Sequence, residues 1–343
     1  MSQNAGVDRD ANQVADAYFE VGKYESARDV LSRALSQHPN DPELLAQYAR
    51  AEYLLKNFPA AAHSAYAALS VAPQSELAMR VYALSLEGLG RLPEALSMAW
   101  HTVIANPNSA VTHKLYARLL LRARQGRAAL CEVDEALRLD PTNVDAIVLR
   151  GSILQSMGRI EESDAAFAQA LTLDPGNADA LHDMSINRLS RRKYARALRG
   201  FLGAAGIDPK LGDLARKNIG LLLARILKIV TPVAVLLSGL AIFVGSVDCS
   251  GHSTVALRVA TGLVTATLIA VLGWMYRSVP RAVLVSVLRD RSFVTARVLH
   301  AVLALALGAG VTLCGGPEWT IPAGAFLVFA GLILVRVGLR MNW

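Results

Sequence analysis

The stretch EALRLDPTNVDA at Glu135–Ala146 returns almost unchanged as QALTLDPGNADA at Gln169–Ala180, which sets Pro141 and Pro175 34 residues apart. The same interval, stepped in both directions, lands on Pro39, Pro73, Pro107 and Pro209, so six prolines keep one register. Five positions before them stand Ala34, Ala68, Thr102, Ala136, Ala170 and Ala204; twelve before stand Ala27, Ala61, Ala95, Ala129, Ser163 and Ala197. Small side chains at fixed offsets let two antiparallel helices approach closely, and a proline, having no N–H, ends the second helix at the turn into the next unit. A period of this length marks a solenoid of helix-turn-helix units.

Over residues 8–211 the period, the small residues and the terminal proline together resemble the tetratricopeptide repeat (TPR) family. Further matches are Ala15, Tyr18 and Gly22 in the first unit, Ala49 and Phe58 in the second, Ala83 and Gly90 in the third, and Ala117 in the fourth. The fifth contributes Gly151, Gly158 and Phe167, and the sixth Tyr194 and Phe201. The departures are the missing early tryptophan, Thr102 and Ser163 in place of alanine, and Gly126, which is shifted from the usual turn position. The resemblance implies an all-α TPR solenoid of six repeats, 8–41, 42–75, 76–109, 110–143, 144–177 and 178–211, after an N-terminal tail of residues 1–7. It also implies a protein-interaction scaffold, since that is the family's main use.

Charge divides the chain. Through residue 211 there are 23 Lys+Arg against 24 Asp+Glu; beyond it there are 12 against 4. The basic balance therefore belongs to the second part, and the repeats offer no argument for nucleic acid. That second part carries four apolar stretches, about 229–247, 255–276, 294–314 and 320–339, each near the roughly 20 residues that a spanning helix needs. A capping and juxtamembrane helix is expected over 212–228, before a membrane domain at 229–343, with Pro232 the expected position of a kink. The start, MSQNAGVDRD, is polar and acidic and does not read as a signal peptide.

Arg216, Lys217, Arg225 and Lys228 precede the first span, while Arg277, Arg281, Arg289, Arg291 and Arg297 surround the loop between the second and third. Arg336 and Arg340 end the fourth, and the loops SVDCSGHS and GGPEWT have no Lys or Arg. By the positive-inside rule the repeats, the middle loop and the C-terminus are cytoplasmic in a cell membrane. Arg258 is the exception, near the outer end of the second span, where a long side chain can snorkel to the interface. Trp274, Trp319 and Trp343 fall at span ends, as interfacial tryptophans do.

No phosphate loop, H-E-x-x-H or paired-cysteine metal motif occurs, so no enzyme, cofactor or metal is expected. Ser238 lies in LLSGLA, which is no nucleophile elbow, and reads as a serine bonded to its own helix. His300 shares a face with Ala304 and Gly308 and reads as helix packing with one polar contact rather than proton handling. Cys131 reads as an ordinary packing residue. Cys249 and Cys314 share the outward side and are either a candidate disulfide or two independent small residues.

Placed on the family's template, Arg50, Arg80, Lys114, Arg118 and Arg122 point into the concave groove, with Glu43 and Glu87 diluting them and Asp145 and Asp179 following. The family's Lys/Asn set for a C-terminal carboxylate is not reproduced. The basic set reads either as a solvated face or as a site for an acidic protein segment. On an exposed face, Arg→Ala is expected to shift stability by only about 0.5 kcal/mol. The function expected is a membrane-anchored adaptor holding a protein partner; the alternative is a transporter or channel subunit with a regulatory repeat domain. The Ala- and Arg-rich composition looks bacterial.

Overall fold

The same local signals produce each helical pair. In this computed structural model, which describes residues 4–340 and their side chains from residue 11 onward, the pairs are α1 (Asn4–Glu20) with α2 (Tyr24–Gln37), α3 (Pro42–Leu54) with α4 (Phe58–Val71), α5 (Glu76–Gly88) with α6 (Leu92–Ala105), and α7 (Ala110–Arg122) with α8 (Gly126–Leu139). They continue with α9 (Val144–Ser156) and α10 (Ile160–Leu173), then α11 (Ala178–Ser190) and α12 (Tyr194–Ile207). Helix α1 begins inside the stretch expected as a tail. Two residues after each inter-repeat proline from Pro39 to Pro175 comes an N-cap: Asp41, Ser75, Ser109, Asn143 and Asn177. The side chains of Asp41, Ser75, Asn143 and Asn177 accept first-turn N–H groups that have no helical partner.

The turn inside each repeat imposes a second condition. One residue per repeat takes the left-handed conformation: Gly22 (φ 70), Lys56 (63), Gly90 (77), Arg124 (59), Gly158 (76) and Arg192 (58). These also step by 34, and the sequence singled out only their glycines. Gly126, which looked displaced, is helical, and Arg124 occupies the turn position instead.

Contacts divide the chain into two compact units, residues 1–175 and 176–343. In the first, five pairs stack in sequence order: each second helix packs on its own first helix and on that of the next repeat, and successive first helices touch. Ala27, Ala61, Ala95, Ala129 and Ser163 are all 0% exposed where the paired helices meet. The Ser163 hydroxyl, standing where alanine was expected, donates to the Gly151 carbonyl at 2.8 Å and is thereby satisfied. Gly151 has no substitute here, since a Cβ would stand 2.5 Å from the buried Phe167 ring.

The second unit opens with α11 and α12 and continues into α13 (Gly212–Cys249), a single helix of 38 residues. The capping helix and the first apolar stretch are thus one element. Ile219, Leu222, Leu223 and Leu227 of α13 share a core with Leu189, Leu198 and Phe201 of the sixth repeat. The helix runs unbroken through Pro232, although the missing N–H leaves the Lys228 carbonyl without its helical donor. Helices α14 (Val255–Ser278), α16 (Ser292–Cys314) and α17 (Thr320–Arg340) complete a set of four that are long and apolar enough to cross a membrane. A short helix absent from the sequence expectation, α15 (Arg281–Asp290), fills the middle loop and buries Val287 in the same core as Ile219.

Hydroxyls in the apolar helices are paired within their own helix. Ser238 and Thr265 donate to the carbonyls of Ala234 (2.9 Å) and Thr261 (2.8 Å) one turn back. His300 is buried and its Nε2 meets the Leu327 carbonyl at 2.9 Å, beside Gly331, whose missing side chain leaves room for the ring. One arginine departs from the expectation. Arg297 is no free charge at the interface: it is 2% exposed, lies over the Phe293 ring at 4.6 Å and reaches the Leu334 carbonyl at 3.4 Å. Arg258 caps α16, donating to the carbonyls of Thr312 and Leu313, both at 2.9 Å, where a cation complements the helix dipole. Trp319 is exposed just before α17, and Trp343 lies outside the described residues.

His182, 3% exposed, packs on the Phe201 ring at 5.3 Å, and its Nε2 lies 3.1 Å from Asn218 Nδ2 of α13. Burial pushes this imidazole below the usual histidine range, and Asp183 and Asp179, which pull upward, do not cancel it.

Two predictions follow from these geometries. A left-handed L-residue costs about 1–2 kcal/mol, against roughly 0.5–1 kcal/mol of extra chain entropy for glycine. Lys56→Gly and Arg124→Gly should therefore each raise stability by about 0.5–1 kcal/mol in chemical unfolding of the whole chain, with no gain from alanine at either position. For His182, the unfolded chain protonates first on acidification because the folded value is depressed. Stability should be complete above about pH 6.5 and fall as pH drops from there toward the folded value. Unfolding midpoints between about pH 5 and 8 should show this slope reduced in His182→Gln, and an unaltered slope would refute the assignment.

Candidate protein-binding groove

The groove belongs to the first unit, where the first helices of successive repeats touch while no comparable run of contacts joins the second helices. That is the inner face of the stack, and all five basic residues lie on these helices: Arg50 on α3, Arg80 on α5, and Lys114, Arg118 and Arg122 on α7. Arg50, Arg80, Lys114 and Arg118 are half-buried rather than exposed; Arg122 is exposed.

Every one already has an acidic partner. Arg50 meets Asp16 of the preceding repeat at 3.0 Å, with its guanidinium 4.2 Å over the Phe19 ring. Arg80 pairs with Glu76 one turn back at 3.0 Å. The Glu76 carboxylate also accepts the hydroxyl of Ser109, the N-cap of the next repeat's first helix, at 3.1 Å. Lys114 reaches Asp145 of the following repeat at 3.1 Å. Arg118 and Arg122 clasp the two oxygens of Glu87, each at 2.6 Å, and the Glu87 side chain is only 8% exposed. Glu43, the other acid expected to dilute the groove, is exposed at the start of α3.

The expected basic strip is thus a ladder of ion pairs, four of which join one repeat to the next, while Arg80 is paired within its own helix. Side-chain type at helical spacing was legible in sequence. The pairing was not, apart from Arg80 with Glu76 on its own helix, because the other partners lie 31 to 35 residues away and depend on how repeats stack. One donor stays open, since Arg118 Nε is buried without a partner among the described residues. What the arrangement can do is exchange: an incoming carboxylate can take over a cation from its resident acid, at the exposed Asp145 and Asp16 ends most readily.

A second surface went unnoticed in sequence. Tyr66 on α4 and Trp100 on α6 occupy equivalent positions one period apart, 62% and 48% exposed, near the exposed Ile104. The 34-residue step applied to exposed positions, not only to small ones, is the signal that finds them. Aromatic side chains of this kind dominate binding energy where proteins meet.

Cys249 and Cys314 close α13 and α16, both exposed and unbridged, and Cys131 is exposed on α8. Asp248, beside Cys249, accepts the Gly316 N–H at 2.9 Å, so the two helix ends that carry these thiols are tied together.

Two stretches match models of the tetratricopeptide repeat, residues 11–51 and 144–177. Among solved structures the chain is similar to PilF of Pseudomonas aeruginosa, at 15% identity and a TM-score of 0.51 over 61% of this chain and 95% of that one. It also resembles a thermophilic TPR protein of Thermus thermophilus (24% identity, TM-score 0.47, 55% and 98% covered). A tetratricopeptide repeat protein from Parabacteroides merdae gives 16%, 0.49, 64% and 92%. At these identities the likeness to PilF shows the fold alone. No curated protein matches the chain.

The Glu87 clasp replaces the earlier expectation that these arginines are dispensable. Either arginine alone still neutralises the carboxylate, so Arg118→Ala or Arg122→Ala should cost about 0.5–1 kcal/mol. The double variant leaves a buried carboxylate unpaired and should cost about 2–3 kcal/mol, more than the singles sum to. Adding Glu87→Gln should return part of that loss in urea unfolding; strict additivity would show that the clasp carries no weight.

Proposed function

We propose that this chain, a tetratricopeptide-repeat protein, is a membrane-anchored adaptor whose repeats hold a protein partner at a bilayer. The observation that carries this is the continuity of α13, which packs on the sixth repeat through Leu222 and Leu223 and runs on as the first apolar helix. The division that goes with it is repeats at 8–211, a capping and juxtamembrane segment at 212–228 and a membrane domain at 229–343. Recognition rather than turnover is the mechanism: an acidic segment of the partner exchanges into the ladder at Lys114, Arg80 and Arg50, and Tyr66 with Trp100 supply apolar contact on the second helices. The placement of Lys and Arg supports a cytoplasmic repeat unit and C-terminus. Cys249 and Cys314 then face outward, where they can close into a bridge. The transporter alternative draws on buried Arg297 and His300 in α16, ionisable groups of the kind that mark pathways when they lie within spans.

Orientation is testable with the native thiols. In intact cells an impermeant maleimide should reach Cys249 and Cys314, after reduction if they are bridged, and should reach Cys131 only once the membrane is opened. External labelling of Cys131 reverses the model. For the groove, the whole chain in mild detergent would be titrated with acidic peptides beside Lys114→Ala, which spares the Glu87 clasp. A lost charge-assisted hydrogen bond, about 1.5–3 kcal/mol, predicts roughly tenfold or greater weakening that shrinks with salt. Unchanged, salt-independent binding excludes the groove, and substrate-dependent flux in liposomes would favour the alternative.

A further inference from the structure

Within the C-terminal unit a groove of about 750 Å³ opens where the turn between α11 and α12 meets α13 and α14. Volumes of a few hundred to a thousand Å³ are those of ligand sites. One wall is apolar, built from Ile226, Val230 and Val233 of α13 and from Leu268, Val271 and Trp274 of α14. The rim is cationic, with Arg192, Lys193 and Arg196. An adjoining recess of about 380 Å³ shares Arg192 and Tyr194 and adds Arg225 and Lys228. No carboxylate lines either space. Arg225 is held by the Leu189 carbonyl at 3.2 Å, but Arg192, Lys193, Arg196 and Lys228 make no ion pair among the described residues. The contrast with the repeat groove is direct, since there each cation already has an acid.

Position narrows the occupant. The apolar wall follows α14 from Trp274 to Thr267, seven residues or about 10 Å of helix. It also follows α13 into the apolar stretch that starts near residue 229. The rim sits at the end of these helices that carries the Lys and Arg. A ligand that fits must be anionic at one end and hydrocarbon at the other. A soluble acidic peptide would leave the wall facing its polar backbone, and a zwitterionic lipid would leave the rim without net counter-charge.

We propose that this groove binds an anionic phospholipid of the leaflet next to the repeats. Its phosphate lies among Arg192, Lys193, Arg196 and the Tyr194 hydroxyl, and one acyl chain lies along α13 and α14. Clusters of basic side chains at span ends recognise anionic headgroups in this way. The site would make the seating of the sixth repeat depend on lipid composition. The inference rests on α13 and α14 being membrane spans.

The experiment uses the whole chain in phosphatidylcholine vesicles, with flotation and resistance to alkaline extraction measured first. A chain that strips off the vesicles refutes the membrane reading itself, separately from the lipid site. A small fraction of phosphatidylglycerol or phosphatidylcholine carrying brominated acyl chains then quenches tryptophan by contact. The Trp274 share is the difference between the native chain and Trp274→Phe, and Trp319, at the opposite helix ends, is the internal reference. Brominated phosphatidylglycerol should quench the Trp274 share several-fold more than brominated phosphatidylcholine at equal fraction, with no such ratio for Trp319. Lys193→Gln with Arg196→Gln should bring the ratio close to one, since each basic side chain near an anionic surface is worth about 1 kcal/mol, roughly fivefold, whereas Lys193→Arg with Arg196→Lys should keep it. Should the glutamine variant lose its helical signal, the native chain still decides, because the ratio must fall toward one at high salt. Equal quenching by both lipids, quenching by neither, or a salt-independent ratio overturns the proposal.

Discussion

The close approach of two helices within each repeat is the constraint on which the rest depends. Ala27, Ala61, Ala95, Ala129, Ser163 and Ala197 are all fully buried at equivalent positions. Helices of 13 or 14 residues are marginal alone, so each gains its stability from the partner it touches. A larger side chain at these positions would separate the pair and empty the contacts above and below. Because a repeat buries so little by itself, it needs neighbours on both sides. In the C-terminal unit α13 supplies that neighbour for the sixth repeat through Ile219, Leu222 and Leu223.

Polar groups obey one rule in two very different settings. On the inner face of the repeats, cations are matched to carboxylates from adjacent units, as in Asp16 with Arg50 and Glu87 with Arg118 and Arg122. Among the apolar helices, hydroxyls turn back on their own carbonyls and Arg258 closes the end of α16. The repeat groove is therefore no vacant positive surface, and in the proposed recognition an acidic segment would exchange with a resident carboxylate, its strength the difference between two ion pairs.

The repeat architecture was legible because its signal is redundant: six prolines, twelve small positions and three glycines agree on one period. The four apolar helices were legible for a similar reason, length and composition being enough. What escaped depended on contacts between residues distant in sequence or on conformations that sequence does not advertise. Lys56, Arg124 and Arg192 adopt the same left-handed turn as Gly22, Gly90 and Gly158, yet nothing in a lysine or arginine announces it. The helix α15 was hidden because its ten residues are too short and too basic at the ends to show a clear period. Arg297 was grouped with interfacial charges by position along the chain, whereas its environment is set by Phe293 and α17. For the candidate groove, residue type and helix face were readable, but the ion-pair ladder was not.

The unbroken course of α13 has a mechanical consequence. Its 38 residues make a rod about 57 Å long, of which the apolar stretch 229–247 covers about 28 Å, close to the hydrocarbon thickness of a bilayer. A bilayer thinner than this stretch is accommodated by tilt. Helical from Gly212 to Cys249 with one backbone bond lost at Pro232, α13 carries a tilt along the rod to the segment on which Phe201 and Leu198 are seated. On the proposed membrane reading, bilayer thickness becomes an angular displacement of the sixth repeat, so that the lipid phase around α13 acts as a lever on the helices seated on its other end.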